Sequence, residues 1–139
     1  MTPVIRRLVY VVSFETLGIA VAGFGLAALS GAALVDTGIV ALLSSLIAVS
    51  WNFVFNTLFE RWESRQTVKG RSFARRAAHA LGFELGLTVL LVPLLMWWLD
   101  IGLWAALFYD LSLVLFFLVF TFLFNLAFDR IFGLPASAR

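Results

Sequence analysis

A glutamate stands inside an apolar segment that is long enough to cross a lipid bilayer. The glutamate is Glu84, which lies within the sequence RRAAHALGFELGL, residues 75–87, in the first part of this segment. A charged group in hydrocarbon costs about 2.5–3.5 kcal/mol on insertion scales, so a carboxyl group at this place indicates a functional site. The same pattern of arginines, phenylalanine and glutamate occurs 69 positions earlier, where Glu15 corresponds to Glu84. Two glutamates at matching positions strengthen this interpretation.

The composition is that of a membrane protein. Of the 139 residues, 63% are hydrophobic and 13% are charged, and the mean hydropathy is +1.03. An ordinary soluble domain is much less apolar. No polar stretch is long enough to fold separately, which predicts a single membrane domain over residues 1–139. The chain has no cysteine, which excludes disulfides and thiolate metal sites.

Four apolar segments predict four transmembrane helices. They cover residues 8–34, 38–59, 77–99 and 103–128. Each can cross a hydrocarbon core of about 30 Å at about 1.5 Å per residue. We expect outer turns at Asp36 and Thr37 and at Asp100, and no helix from Asp129 onward. A cleaved signal peptide is the alternative for the first segment, but a glutamate in its middle argues against one.

The two halves of the chain form a repeat. At the same offset of 69, Phe55, Asn56, Phe59, Glu60 and Arg61 correspond to Phe124, Asn125, Phe128, Asp129 and Arg130. Repeat one covers about residues 5–66, and repeat two about residues 74–135. Because each half contains two spans, both halves cross the membrane in the same direction. The predicted fold is therefore an all-α membrane protein of two parallel two-helix repeats.

The basic residues predict the orientation. All ten lysines and arginines lie in the N-terminal segment, the middle loop or the C-terminal tail, and the turns near Asp36 and Asp100 contain none. The positive-inside rule then places both termini and the middle loop in the cytoplasm. This predicts a multi-pass membrane protein whose two acidic turns lie outside. The net charge of +2 is explained by topology, so no nucleic-acid partner is expected.

The depth of the two glutamates suggests proton chemistry. Glu15 and Glu84 lie eight residues beyond Arg7 and Arg76, or about 12 Å along a helix. Burial disfavours the charged form of a carboxyl group, so each glutamate is a candidate for exchanging a proton for a cation. The alternative is a protonated glutamate that makes a hydrogen bond between helices.

The second predicted helix carries a row of polar residues. Asn52, Asn56 and Glu60 follow one another at four-residue spacing and share one face. Asn52 is expected at the depth of Glu15, to which it could donate a hydrogen bond. Such a row either lines a pathway or joins helices by hydrogen bonds, and the sequence leaves both explanations open.

The fourth helix repeats this row as Thr121, Asn125 and Asp129. Thr121 is expected at the depth of Glu84, and Asp110 lies about three turns away on the same face. The candidates for a cytoplasmic gate are Glu60, Asp129, Arg7 and Arg76.

Aromatic and small residues complete the candidate set. Trp51 and Phe55 run beside the asparagine row and offer cation–π contact to an organic cation. Gly82 and Gly86 have the GxxxG spacing, which predicts close helix packing, and His79 is either structural or a proton relay. The sequence contains no nucleophile–base arrangement, metal cluster or phosphate loop. It therefore predicts neither an enzyme nor a cofactor.

These motifs resemble those of the proteobacterial antimicrobial compound efflux (PACE) family, whose members are tandem bacterial transmembrane pairs. The second helix fits the pattern WNxxFNxxFExxE at Trp51, Asn52, Phe55, Asn56, Phe59, Glu60 and Glu63. The third helix fits at Arg76, His79, Phe83, Glu84, Gly86, Leu87, Pro93, Trp97, Trp98 and Leu99. The first fits at Arg7, Phe14 and Glu15, and the fourth at Asp110, Phe124, Asn125 and Asp129. Tyr10 replaces an expected histidine, and Phe120 and Phe128 replace expected tyrosines.

The resemblance implies proton-coupled export of amphipathic cations such as chlorhexidine, acriflavine, proflavine or benzalkonium, and of short-chain diamines. It implies that protons and substrate compete at Glu15. The residues expected to line the pathway are Asn52, Asn56, Thr121, Asn125, Asp110, Trp51, Phe55, Tyr10 and His79. Because four helices enclose little volume, we also expect a homodimer, with Gly82 and Gly86 as a candidate contact. The alternatives are a non-transporting scaffold and a passive channel.

Overall fold

Four long helices form a ring in chain order. The structure, a computed structural model, describes residues 1–70 and 72–134. The helices are α1 (Pro3–Ser30), α2 (Leu34–Ser64), α3 (Phe73–Leu99) and α4 (Leu103–Phe132). Each helix packs against the next, and α4 also packs against α1. All four are long and apolar enough to cross a membrane, which agrees with the predicted all-α fold.

The helices extend beyond the predicted apolar segments at their cytoplasmic ends. α1 begins at Pro3 instead of residue 8, α2 continues to Ser64, and α4 continues through Asp129 to Phe132. The expectation that no helix follows Asp129 was therefore wrong. An apolar run measures the hydrocarbon thickness, whereas arginine and glutamate are good helix formers and continue the helix into the headgroup region. Residue 135, Arg71 and Arg139 lie outside the described residues.

The first outer turn also differs from its prediction. α1 ends at Ser30, and the turn occupies residues 31–33. Gly31 adopts the left-handed conformation, with φ of 70°, and its N–H donates to the Ala27 carbonyl at 2.9 Å. Asp36 lies in the first turn of α2, where a carboxylate interacts favourably with the helix dipole. The second turn, at Asp100, lies where the sequence predicts it.

The outer ends of the helices hold a cluster of buried side chains. It comprises Leu26, Val40, Val92, Leu95 and Ala106, with at least one residue from each helix. Beside it, the Trp98 indole N–H donates to the Asp36 carbonyl at 3.0 Å and joins the outer ends of α3 and α2. Among the described residues, no such cluster lies at the cytoplasmic ends. The ring is therefore packed closed on its outer side.

Gly82 and Gly86 provide close helix packing within the chain. A Cβ atom on Gly86 would lie 2.2 Å from the Trp51 ring, and one on Gly82 would lie 3.1 Å from the Phe55 ring. The Trp51 indole N–H donates to the Phe83 carbonyl at 3.0 Å, which holds the ring in place. The two glycines thus face α2 of the same chain, so they do not form the free dimer contact that we expected.

We predict that Gly86→Ala destabilises the protein. The added methyl group collides with an indole that is already fixed by a hydrogen bond, and overpacking of this kind costs about 1–3 kcal/mol. The matched control is Gly25→Ala, since nothing lies within 4 Å of a Cβ atom at Gly25. Thermal unfolding in detergent should show a lower midpoint for Gly86→Ala than for Gly25→Ala. Equal midpoints would contradict the packing argument.

Candidate functional site

A cavity of about 810 Å³ lies between the four helices. Every helix contributes polar side chains to its wall, namely Glu15, Ser44, Ser45, Asn52, Glu84, Thr88, Asp110, Thr121 and Asn125. The remaining lining is mostly aliphatic and aromatic. A small number of polar groups in an apolar wall is typical of sites that bind small organic molecules.

Glu15 and Glu84 face this cavity from α1 and α3, which are opposite each other in the ring. The Ser45 hydroxyl on α2 donates a hydrogen bond to the Glu15 carboxylate. Asn52, the donor that we expected, lines the same cavity but accepts a hydrogen bond from Asn56 instead. Within the described part of the chain, Glu84 accepts no hydrogen bond. The two glutamates therefore match in position but differ in how they are held.

Ser45 is a site residue that the sequence analysis missed. A serine in an apolar helix usually bonds to its own backbone, so the pair Ser44 and Ser45 gives no pattern to detect. Its counterpart in repeat two is Val114, which has no hydroxyl group. The repeat symmetry thus predicts the pair of glutamates but not the donor that distinguishes them.

Asp110 is the most buried acidic group among the described residues, with 1% of its surface exposed. The Thr88 hydroxyl donates to its carboxylate at 2.8 Å. Thr88 lies one turn from Glu84 on α3, and the carboxyl groups of Glu84 and Asp110 interact electrostatically. At the matching positions of repeat one stand Ile19 and Ala41. The second carboxyl group of this half is therefore another departure from the repeat symmetry.

Two matching helix–helix contacts join the repeats on the cytoplasmic side of the cavity, one between α1 and α4 and one between α2 and α3. We call these contacts the two seams. The Tyr10 hydroxyl donates to Asn125 Oδ1 at 2.6 Å between α1 and α4. His79 Nε2 lies 2.7 Å from Asn56 Oδ1 between α3 and α2. Since an amide oxygen only accepts, Nε2 carries the hydrogen in this arrangement. Both residue pairs obey the offset of 69, so Tyr10 takes the place of the second histidine.

The ring contacts of the seams repeat as well. Tyr10 lies 5.3 and 5.1 Å from Phe124 and Phe128, and His79 lies 5.2 and 4.7 Å from Phe55 and Phe59, measured between ring centroids. Tyr10, His79, Trp51 and Phe55 are thus packed in the seams and are absent from the lining of the central cavity. Phe14, Phe83 and Phe117 supply aromatic surface there instead.

Arg6 closes the α1–α4 seam at the cytoplasmic surface. Its guanidinium lies 2.6 Å from the Asp129 carboxylate and donates to the Gly133 carbonyl at 2.8 Å. It also lies 5.0 Å from the centroid of the Phe128 ring. Arg7, the gate candidate from the sequence, is exposed on the neighbouring face of α1. Two adjacent arginines look alike in a sequence, and only the rotation of the helix shows which one faces α4.

The second seam is closed differently. Arg75, the counterpart of Arg6, lies 3.8 Å from Glu63 and 5.5 Å from the centroid of the Trp62 ring. Glu60, the counterpart of Asp129, is exposed and makes no ion pair with the residues that the structure describes. Arg76 lies in the first turn of α3, where its N–H donates to the Ser72 carbonyl at 3.0 Å. Of the predicted gate carboxylates, Asp129 is paired, and Glu60 has no ion-pair partner within residues 1–70 and 72–134.

Comparisons with known proteins show the same two repeats. A family model described as "chlorhexidine efflux transporter" matches residues 2–65 and again residues 71–134. The chain belongs to this family. It is 30% identical over 126 residues to the "short-chain diamines transporter" of Acinetobacter baylyi, which covers 91% of this chain and 89% of the relative. A protein of the same name from Vibrio parahaemolyticus is 31% identical over the same shares of both chains. No solved structure matches the chain significantly.

Membership of the chlorhexidine efflux family confirms the resemblance to the proteobacterial antimicrobial compound efflux proteins. The protein is therefore a membrane transporter and not an enzyme. Four spanning helices and this family place it as a multi-pass protein in the bacterial inner membrane. The twofold match of the family model corresponds to the two parallel repeats of the ring.

We predict that Thr88→Val destabilises the protein by about 1–3 kcal/mol, because it removes the hydroxyl donor from a buried carboxyl group while keeping the side-chain shape. Thr57→Val is the control, since Thr57 is exposed and bonds only to the Phe53 carbonyl of its own helix, at 2.8 Å. The free energy of unfolding in mixed detergent should fall for Thr88→Val alone. Equal losses in the two variants would show that the Thr88–Asp110 hydrogen bond contributes no more to the free energy of unfolding than the Thr57 bond does.

Proposed function

We propose that this transporter exports organic cations from the cytoplasm in exchange for protons. The observation that carries the proposal is the pair of carboxyl groups, Glu15 and Glu84, that face one central cavity from opposite helices. Carboxyl groups are costly in a membrane interior and are retained where they bind ions or protons. The packed outer ends and the free carboxylate at the cytoplasmic end of α2 favour loading from the cytoplasm.

Cations with two charged ends suit this arrangement. A short-chain diamine presents one ammonium group to each carboxylate, and the names of the relatives support diamines as substrates. Larger amphipathic cations, such as chlorhexidine, acriflavine, proflavine or benzalkonium, suit the apolar lining. Phe14, Phe83 and Phe117 offer ring faces for cation–π contact. The cavity volume lies within the range of about 300–1,000 Å³ that is common for small-molecule sites.

Proton coupling follows from competition for the same carboxyl groups. A carboxylate in a low-dielectric cavity needs a cation or a proton beside it, so binding of the substrate releases protons and its departure takes them up. Ser45 supports Glu15 in both states, since a hydroxyl group donates to a carboxylate and accepts from a carboxylic acid. Opening toward the outside requires separation of the buried cluster around Leu26 and Leu95.

A homodimer stays a prediction. We expected a homodimer because four helices enclose little volume. One chain alone, however, contains a cavity of about 810 Å³, so the volume does not require a second copy. Gly82 and Gly86 pack against α2 of their own chain, so a second copy would have to use another face.

We predict that Glu15→Gln abolishes proton-driven exchange without unfolding the protein. The amide keeps the size of the side chain but can neither release a proton nor balance a cation. The measurement is acriflavine transport into proteoliposomes under an imposed pH gradient, with elution volume and melting temperature as controls for folding. Acriflavine transport at the wild-type rate in Glu15→Gln would contradict the proposed proton coupling. No transport by folded wild type would favour the scaffold, and cation current without a proton gradient would favour the channel.

The matched variant Glu84→Gln tests the binding of dications. We expect it to raise the apparent KM for short-chain diamines about tenfold, or about 1.4 kcal/mol, because one ammonium group loses its partner. Its effect on benzalkonium, which has one charge, should be much smaller. An equal loss for both substrates would show that Glu84 has a general role in folding or coupling.

A further inference from the structure

The two polar rows that the repeat creates differ in access. The α2 row is Asn52, Asn56 and Glu60, and the α4 row is Thr121, Asn125 and Asp129. The α2 row lines an open groove of about 420 Å³ together with Val49, Phe53 and Thr57. Val49 and Asn52 belong to the wall of this groove and also to the wall of the central cavity. The groove and the cavity therefore adjoin each other at these two residues of α2.

The α4 row differs at its cytoplasmic end, although Thr121 and Asn125 line the central cavity. Arg6 pairs with Asp129 at 2.6 Å and lies over the ring of Phe128. The Tyr10 hydroxyl occupies the amide oxygen of Asn125. Phe128 itself is 4% exposed, so the seam between α1 and α4 is filled at this depth.

Among the described residues, the two corresponding arginines are engaged differently. Arg75 donates to the carbonyls of Gly70 and Val68, at 2.7 and 3.1 Å, and lies 3.8 Å from Glu63. Its counterpart Arg6 pairs with Asp129 at 2.6 Å. Arg75 is thus held by the middle loop, and Glu60 has no ion-pair partner among the described residues.

We propose that the α2 row is the cytoplasmic loading path for organic cations, and that the contact between α1 and α4 is closed to them at its cytoplasmic end. The exposed carboxylate of Glu60 raises the local concentration of cations at the mouth of the groove. Beyond it, the amide groups of Asn52 and Asn56 and the ring of Phe53, which is 75% exposed, suit an alkylammonium ion with an apolar body. The identity of the cargo rests on the proposed function, whereas the route rests on the geometry.

The natural absence of cysteine allows a direct test of access. Asn56→Cys and Asn125→Cys are matched single-cysteine variants, because each removes one asparagine and one seam hydrogen bond. In inside-out vesicles, a trimethylammonium thiol reagent should modify Asn56→Cys about tenfold faster than Asn125→Cys at low salt. Acriflavine or a short diamine in the bath should slow the modification of Asn56→Cys only.

Second variants test the role of the charges. Glu60→Gln in the Asn56→Cys background should remove the preference for the cationic reagent over a sulfonate reagent of similar size. Thr57→Cys, also in the wall of the groove, replaces Asn56→Cys if that variant fails to fold.

Equal modification at the two positions, or faster modification of Asn125→Cys, would overturn the proposal. So would slow modification of both, which is the result expected if a second copy of the chain covers the α2 row. The labelling needs neither a proton gradient nor transport. Asymmetric labelling in a protein that fails to exchange cations would therefore reject only the proposed function, and symmetric labelling in an active transporter would reject only the route.

Discussion

The cost of placing carboxyl groups in hydrocarbon governs this structure. Glu15, Glu84 and Asp110 come from three different helices, and each must avoid lipid. A ring of four helices satisfies all three at once by directing them into one interior space. The hydroxyl groups of Ser45 and Thr88 then supply hydrogen bonds that hydrocarbon cannot provide. The same constraint that shapes the fold thus produces one cavity that gathers the carboxyl groups of three helices.

The two repeats make matching contacts in the cytoplasmic half of the molecule. Tyr10 and His79 differ in chemistry, yet both place an aromatic ring between two phenylalanines and donate one hydrogen bond to an asparagine. This equivalence explains how repeat one accommodates a tyrosine where repeat two has a histidine. The symmetry ends at the donor to Glu15 and at the carboxylates beside Arg6 and Arg75.

The distribution of packing suits a transporter that must open. Helices in a bilayer associate without a hydrophobic driving force, so close contacts and hydrogen bonds decide where they hold together. The buried cluster near Leu26 and Leu95 closes the outer side with few side chains, and no charged residue belongs to it. Fixed contacts between α2 and α3, such as Trp51 against Gly86, lie near the middle of these helices. Leu26 belongs both to the outer cluster and to the cavity wall, so the outer closure directly borders the cavity.

The sequence alone determined the number of spans, the parallel repeat, the orientation, the pair of glutamates and the family. These properties are readable because hydropathy, the placement of arginines and an offset of 69 are local features of the chain. The tertiary structure decided which groups meet. Glu15 receives its hydrogen bond from Ser45 and not from Asn52. Asp129 pairs with Arg6, whereas Arg7 is exposed. The two glycines of the GxxxG spacing pack against Trp51 and Phe55. Such choices depend on how each helix is rotated and on which helices are neighbours in the ring. Rotation is set by many weak side-chain contacts between distant parts of the chain, and no local pattern records it.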